Sequence, residues 1–422
     1  MAEVGIDRAD LLKRHRESVR KLQSQAEEEF ESVADSAKET LMANVTGHRY
    51  RDHDSRGEKY SHRMIAQAKR DREDVEAVNR RAAETFEGTI DLEDFLHLDY
   101  FAKGLAAARC VGRIDGLSGL FLGTGFICAP GFVMTNNHVI PSPKYAEYGI
   151  DIGFETYDQR VEVDKCRLDP ERFFFTSKQS DLDCTIIAME EELGAKLSEA
   201  LGWHGIKAEQ GKIALGKPTS VIQYPKGQGK RLVVHNSMLI EIAELDEASD
   251  DWRRNTRLWY TSDTASGSSG SPVFNRNFEV IALHHAGIPM RENGKYVDRH
   301  GNPMEDDDFD ADPDRAAFRA NQGIRASCIA KALENEFKGA PTQMKIKDKI
   351  LDAWSNRNGQ AAVLREMRQR VLLTPSLAST GLEMPEGSRR GLRSRSADGV
   401  LFEEIARRLQ DGTMRIQFRD GG

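Results

Sequence analysis

Tyr260-Thr261-Ser262-Asp263-Thr264-Ala265-Ser266-Gly267-Ser268-Ser269-Gly270-Ser271-Pro272-Val273-Phe274 reads as the end of one strand, a sharply bent loop and the start of another. Ser269, Gly270 and Ser271 stand just ahead of Pro272, so the backbone can turn tightly and hold a hydroxyl outward on a rigid frame. Gly267 leaves its own N–H unhindered. With the N–H of Ser269 it forms the pair of donors that a developing oxyanion needs. Taken alone, such a cluster is also what an ordinary Gly/Ser surface turn looks like.

Two upstream stretches give the loop its chemistry. Gly123-Thr124-Gly125-Phe126-Ile127-Cys128 and Gly131-Phe132-Val133-Met134-Thr135-Asn136-Asn137-His138-Val139-Ile140 read as two short apolar strands joined at Pro130-Gly131. His138 lies just beyond the second strand. An imidazole there can take and return a proton near neutrality. Ser180-Asp181-Leu182-Asp183-Cys184-Thr185-Ile186-Ile187-Ala188-Met189 is an acidic turn running into a buried strand, with Asp183 placed to hold an imidazole tautomer.

The order His138, Asp183, Ser269, within Thr-Asn-Asn-His-Val-Ile, Leu-Asp-Cys-Thr-Ile-Ile and Gly-Ser-Ser-Gly-Ser-Pro-Val-Phe, resembles the trypsin/chymotrypsin-like serine proteases. The nearest branches are the disulfide-poor bacterial ones, the glutamyl endopeptidases and the high-temperature-requirement proteases. The resemblance covers roughly residues 98–335. It implies a mostly β fold of two six-stranded antiparallel barrels and a serine endopeptidase acting on protein or peptide substrates without a cofactor. His138, Asp183 and Ser269 would form the triad, with Gly267 and Ser269 as the oxyanion hole. Asp181 competes for the acidic role, but the family places a small or apolar residue two positions after that Asp. Asp183 has Thr185 there and Asp181 has a charge, so Asp183 is preferred. Secreted trypsins carry an Asp just before the nucleophile to bind a newly cut N-terminus. Ser268 stands there in this chain, which argues against activation by chain cleavage.

The same resemblance gives conflicting cues for the substrate pocket. Asp263 occupies the position of the acid in trypsin-like enzymes. Thr264 and His284, with the strand running on to Gly287, match the hydroxyl and imidazole of glutamyl endopeptidases. The balance leans slightly to cleavage after basic residues.

The rest of the 422 residues is read from pattern. Apolar positions Leu12, Val19, Leu22, Ala26, Phe30, Val33, Ala37 and Leu41 recur at helical spacing, with one gap at His15, and predict one long helix over residues 10–44. A second periodic run over residues 64–87 completes a helical hairpin in residues 1–95. Its seam is buried against itself, the protease or a partner chain, and it is either a spacer or a regulatory, partner-binding element. Residues 96–340 form the protease domain and are expected to fold alone. Residues 341–422 form a C-terminal helical segment with a flexible basic linker at 375–396, followed by a short helix at 401–409 and a strand at 413–418. Seven carboxylates within residues 305–314 predict a solvated, mobile loop.

A net charge of −8 gives no global attraction to nucleic acid or anionic membranes, and the basic linker lacks interleaved aromatics. No run approaches the ~18 apolar residues of a membrane span. The opening residues lack the apolar centre of a secretory signal, so a cytoplasmic location is expected. The five cysteines, an odd number without CxxC spacing, read as buried small hydrophobes and not as a disulfide framework. Two other classes stay open: a catalytically silent binding module on the protease fold, and a scaffold working through the N-terminal helices.

Overall fold

The computed structural model describes residues 8–45, 99–116, 120–147, 151–155, 163–243, 252–254, 256–355, 359–361 and 363–365. Short apolar strands with tight turns make the first barrel: β1 Val111–Asp115, β2 Phe121–Ala129, β3 Phe132–Thr135, β4 Asp151–Glu155, β5 Val163–Ser177 and β6 Cys184–Met189. They close in the order β1-β2-β3-β6-β5-β4, all antiparallel where paired.

The second sheet holds β7 Ser220–Gln223, β8 Arg231–Val233, β9 Met238–Ile242, β10 Arg257–Thr261, β11 Pro272–Phe274, β12 Val280–Pro289 and, after an insertion, β16 Phe318–Arg325. Its order is β8-β7-β11-β12-β16-β10-β9. The residues just before β7 then return to β9 through Leu239 N–H to Lys217 O and Thr219 N–H to Ser237 O, with Pro218 opposite Met238. That lateral pairing curls the sheet on itself, so the double barrel is present and β8 hangs from it as a hairpin. Phe126, Tyr224, Phe274, Leu283 and Ile324 share one buried cluster that joins the two barrels.

Helices are appended to this body. α1 Arg8–Glu31 and α2 Ala34–Val45 replace the single expected helix. The break falls at Ser32-Val33, where Ser32 Oγ donates back to the Glu29 carbonyl at 2.7 Å. A short polar side chain competing for backbone in this way favours a helix end. The expected second helix over residues 64–87, and with it the hairpin, lies outside the described residues. α3 Asp99–Arg109 leads into β1, α4 Pro143–Glu147 follows His138, and α5 Glu191–Leu201 follows β6.

The acidic insertion is ordered, contrary to expectation. It forms the small sheet β13 Arg291–Glu292, β14 Lys295–Val297 and β15 Pro303–Met304, followed by α6 Asp306–Ala311. Tyr296 and Phe309 stack at 3.8 Å and bury Met304 and Ala316 with them. Arg20 takes up Asp310 and Lys226 takes up Asp314. Repulsion among the carboxylates is offset by this apolar plug and by partners distant in sequence.

After β16 the chain forms α7 Ala326–Glu336 and α8 Pro341–Ser355. α8 begins at the expected domain boundary and seals one end of the first barrel: Ile350 and Trp354 are buried, and Trp354 Nε1 donates to the Cys128 carbonyl at 2.8 Å. Trp354→Ala should cost about 3–5 kcal/mol of stability, read from chemical denaturation. The chain separates into two compact units, Met1–Val371 and Leu372–Gly422. The basic linker, the short helix and the strand expected in the second unit lie outside the described residues. All five cysteines are buried free thiols, and burial pushes Cys110 up to about 12.

Candidate active site

β3 and β6 pair with Thr135 opposite Thr185, so the turn leaving β3 meets the turn entering β6. Asn136 Nδ2 donates to the Asp183 carbonyl at 2.9 Å and clamps the two turns together. Asp183 has φ +40°, a left-handed conformation that Asp tolerates better than most residues. Its buried carboxylate accepts three hydrogen bonds. His138 N–H reaches Oδ1 at 2.9 Å, while His138 Nδ1–H at 2.7 Å and His285 Nδ1–H at 2.8 Å both reach Oδ2. Burial would raise the carboxyl pKa, but the neighbouring His138 and the two imidazole hydrogen bonds outweigh it and bring Asp183 down to about 2. An ionised carboxylate only accepts, so Nδ1 of His138 carries a proton, and in the neutral imidazole Nε2 then keeps the lone pair. That Nε2 is buried and has no hydrogen-bond partner among the described residues.

The nucleophile loop hangs between the barrels. Thr124 N–H donates to Ser269 O at 2.8 Å, Thr124 Oγ1 donates to Gly267 O at 2.9 Å, and Gly270 N–H donates to His284 O at 3.2 Å. Ser268, Gly270 and Ser271 spend their N–H groups inside this frame, whereas those of Gly267 and Ser269 have no partner among the described residues. Gly267 has φ +92°, and a Cβ there would lie 1.9 Å from Phe121 Cε1. Gly270 has φ +85°, and its Cβ would lie 2.1 Å from Thr124 O. Only glycine fits either place. Ser269 is half-buried, and its Oγ makes no hydrogen bond to His138 Nε2. The acid and imidazole are thus assembled, and the bond to the serine is not made.

The pocket residues divide. Asp263 is exposed, and the charged groups that act on the buried His284 are His285 and His138. His284 is buried, with Nδ1 2.6 Å from Tyr260 Oη, and desolvation first, then the nearby His285 and His138, lowers it to about 3. Thr264 Oγ1 donates to Asn321 Oδ1 at 2.6 Å, and Gly287 faces the Phe318 ring. The competing Asp181 takes a hydrogen bond from Ser177 Oγ at 2.7 Å and does not touch His138.

Two residues near the centre were not singled out from sequence. His285 was passed over beside His284, although neighbouring strand residues face opposite sides and one of a His pair can turn to the triad. His15 was visible only as the gap in the apolar stripe of α1. Its ring stacks on that of His138 with centroids 6.0 Å apart, and its Nδ1 lies 3.3 Å from the His138 carbonyl. Burial, then His138, lowers His15 to about 4, so it sits there neutral.

Beyond His15, α1 packs along the second barrel. Ser18 and Gln179 exchange two hydrogen bonds. Leu22, Ala26 and Phe30 are buried against Ile240, Trp259, Ala286, Ile288 and Ala320. Glu27 pairs with Arg291, Glu29 with Arg257 and Gln322, and Glu31 with Arg319.

Residues 123–283 match the family model of the trypsin-like peptidase domain, and the chain carries a domain of that family. An uncharacterized protein of Sinorhizobium fredii, y4fB, is 33% identical over 290 residues, which is 64% of this chain and 42% of that protein. The chain thus spans less than half the length of this relative. Among solved structures, the active form of the Rv3671c protease from M. tuberculosis shares 18% identity over 57% of this chain and 87% of its own, with a TM-score of 0.35. The HtrA-type protease AlgW shares 14% over 56% and 62%, with a TM-score of 0.36.

Proposed function

We propose that the protein is a serine endopeptidase working through His138, Asp183 and Ser269 and restrained by its own helix α1. The observation that carries the reading is the buried His138–Asp183 pair, whose carboxylate fixes the imidazole proton on Nδ1. Nε2 then accepts the Ser269 proton as Oγ attacks a peptide carbonyl, and returns it to the leaving amine as the carbon–nitrogen bond breaks. Water repeats the sequence on the acyl-enzyme. The unspent N–H groups of Gly267 and Ser269 would receive the oxyanion, and loss of one such donor typically raises the barrier by ~2.7–4 kcal/mol.

Restraint is supported by where α1 lies. The His138 side chain has no exposed surface. Pairing of β11 with β12 stops at Pro272–Leu283, so from His285 onward β12 pairs, among the described strands, with β16 alone. An extended substrate adding to that edge would bring a carbonyl to Ser269, and α1 packs against Ala286 and Ile288 of the same stretch. Reaction with a fluorophosphonate tests the chemistry. Labelling of the full chain that vanishes in Ser269→Ala is expected, and labelling that persists there overturns the assignment.

A further inference from the structure

His285 is a buried imidazole that the scheme above does not use. It sits on β12 one residue after His284, whose N–H donates to Ser271 O at 2.8 Å and whose carbonyl accepts from Gly270 N–H. Two consecutive residues of one strand therefore hold the nucleophile loop and, through His285 Nδ1, the Asp183 carboxylate. Asp183 and His138 come from the first barrel and Ser269 from the second, so this strand is a gauge of the distance between the two halves of the triad.

The partners of His285 are few and come from three elements. Asp183 precedes β6, His138 follows β3, and Arg257 of β10 lies behind. Arg257 is itself held by the Asp181 carbonyl at 2.7 Å, by Thr256 Oγ1 at 2.8 Å and by Glu29 of α1 at 3.1 Å. Desolvation, with Arg257 and His138 adding to it, outweighs the pull of Asp183 and lowers the His285 pKa. A neutral imidazole donating from Nδ1 adds no second cation beside His138 when the latter becomes imidazolium.

We propose that His285 is a positioning residue of the catalytic centre: its Nδ1–H anchors Asp183 from the second barrel and shares Oδ2 with His138. The proposal rests on the triad reading above. Two hydrogen bonds to one oxygen weaken each other, so His285 both fixes the carboxylate and tempers its hold on His138. Removing the donor would let Asp183 turn and would give its full charge to His138. The reaction would slow, and the acid limb of its pH profile would move to higher pH.

Asn can place an amide N–H close to where Nδ1 lies, and Leu keeps volume without a donor. The measurement is the rate of fluorophosphonate labelling of Ser269 against pH in full-length wild type, His285→Asn and His285→Leu. All three carry the same α1, so ratios are read directly. His285→Leu should slow labelling by up to about 100-fold, the scale of a small misplacement of a catalytic group, with its acid limb raised. His285→Asn should stay within about tenfold of wild type, with the limb unmoved. Equal losses in both variants, or an unmoved limb in His285→Leu, overturn the proposal. Should His285→Leu fail to fold, ¹⁵N-resolved imidazole spectra of the wild type decide. A protected Nδ1–H proton of His285 that is lost in His285→Asn, while that of His138 remains, is expected, and no loss in His285→Asn overturns it. Failure of the triad reading looks different, since wild-type labelling would then survive Ser269→Ala.

Discussion

Ser269→Ala and His138→Ala should each lower peptide hydrolysis by roughly 10⁴–10⁶-fold while the protein still folds, Ser269→Ala at the wild-type denaturant midpoint and His138→Ala at a lower one. The stability half follows from surroundings. Ser269 Oγ makes no hydrogen bond to His138 Nε2, so its removal leaves no partner there unsatisfied. His138 is different, because its Nδ1 proton satisfies Asp183 Oδ2, but His138 N–H and His285 remain to hold the carboxylate. Asp183→Asn should cost roughly 10⁴-fold by presenting an amide where a proton acceptor is needed and reversing the imidazole tautomer. Asp181→Asn, remote from the imidazole, should stay within about tenfold, since it disturbs only the bond from Ser177. Near-wild-type hydrolysis by Ser269→Ala in a preparation free of other proteases, or a larger loss at Asp181 than at Asp183, would show the assignment to be wrong.

Asp183, His138 and Ser269 were legible as candidates because each sits where a strand ends, and strand ends are marked locally by apolar runs meeting Gly, Asn or Asp. Glycines 267 and 270 announced a backbone that no side chain permits. Contacts distant in the chain were not legible. The apolar stripe of α1 said that a face is buried without saying against what, and its partners Trp259, Ala286 and Ala320 lie more than two hundred residues away. The acidic insertion misled for a similar reason. Its carboxylates were counted, but the stacking of Tyr296 on Phe309 and the cations of α1 and the Lys226 turn were not foreseeable from local charge. Asp263 was placed in the pocket by position alone, and it is exposed whereas His284 is buried.

Ala26→Glu, alone or with Leu22→Glu, should raise Ser269 labelling and hydrolysis of protein substrates by roughly 10²–10³-fold. The docked helix is held chiefly by its apolar stripe: burying Leu22 and Phe30 contributes about 1.5–3 kcal/mol each, against about 0–1 for each exposed ion pair. A carboxylate forced unpaired among Trp259, Ala286 and Ile288 costs on the order of 3–5 kcal/mol, and each ~1.4 kcal/mol changes the open fraction tenfold. Acid should act in the same direction. His15 is depressed to about 4 when docked, while a free histidine binds its proton near 6.5, so docking is fully stabilised above about pH 6.5 and weakens as pH falls towards 4. The acid effect is read from hydrogen exchange of α1 and not from turnover, because turnover has a pH dependence of its own. Protection of residues 15–30, taken relative to the intrinsic exchange rate at each pH, should fall in Ala26→Glu at neutral pH and in wild type near pH 5. A variant whose α1 exchanges freely while β12 stays protected, yet whose labelling rate equals that of wild type, would show that the helix only covers the barrel and does not restrain the site.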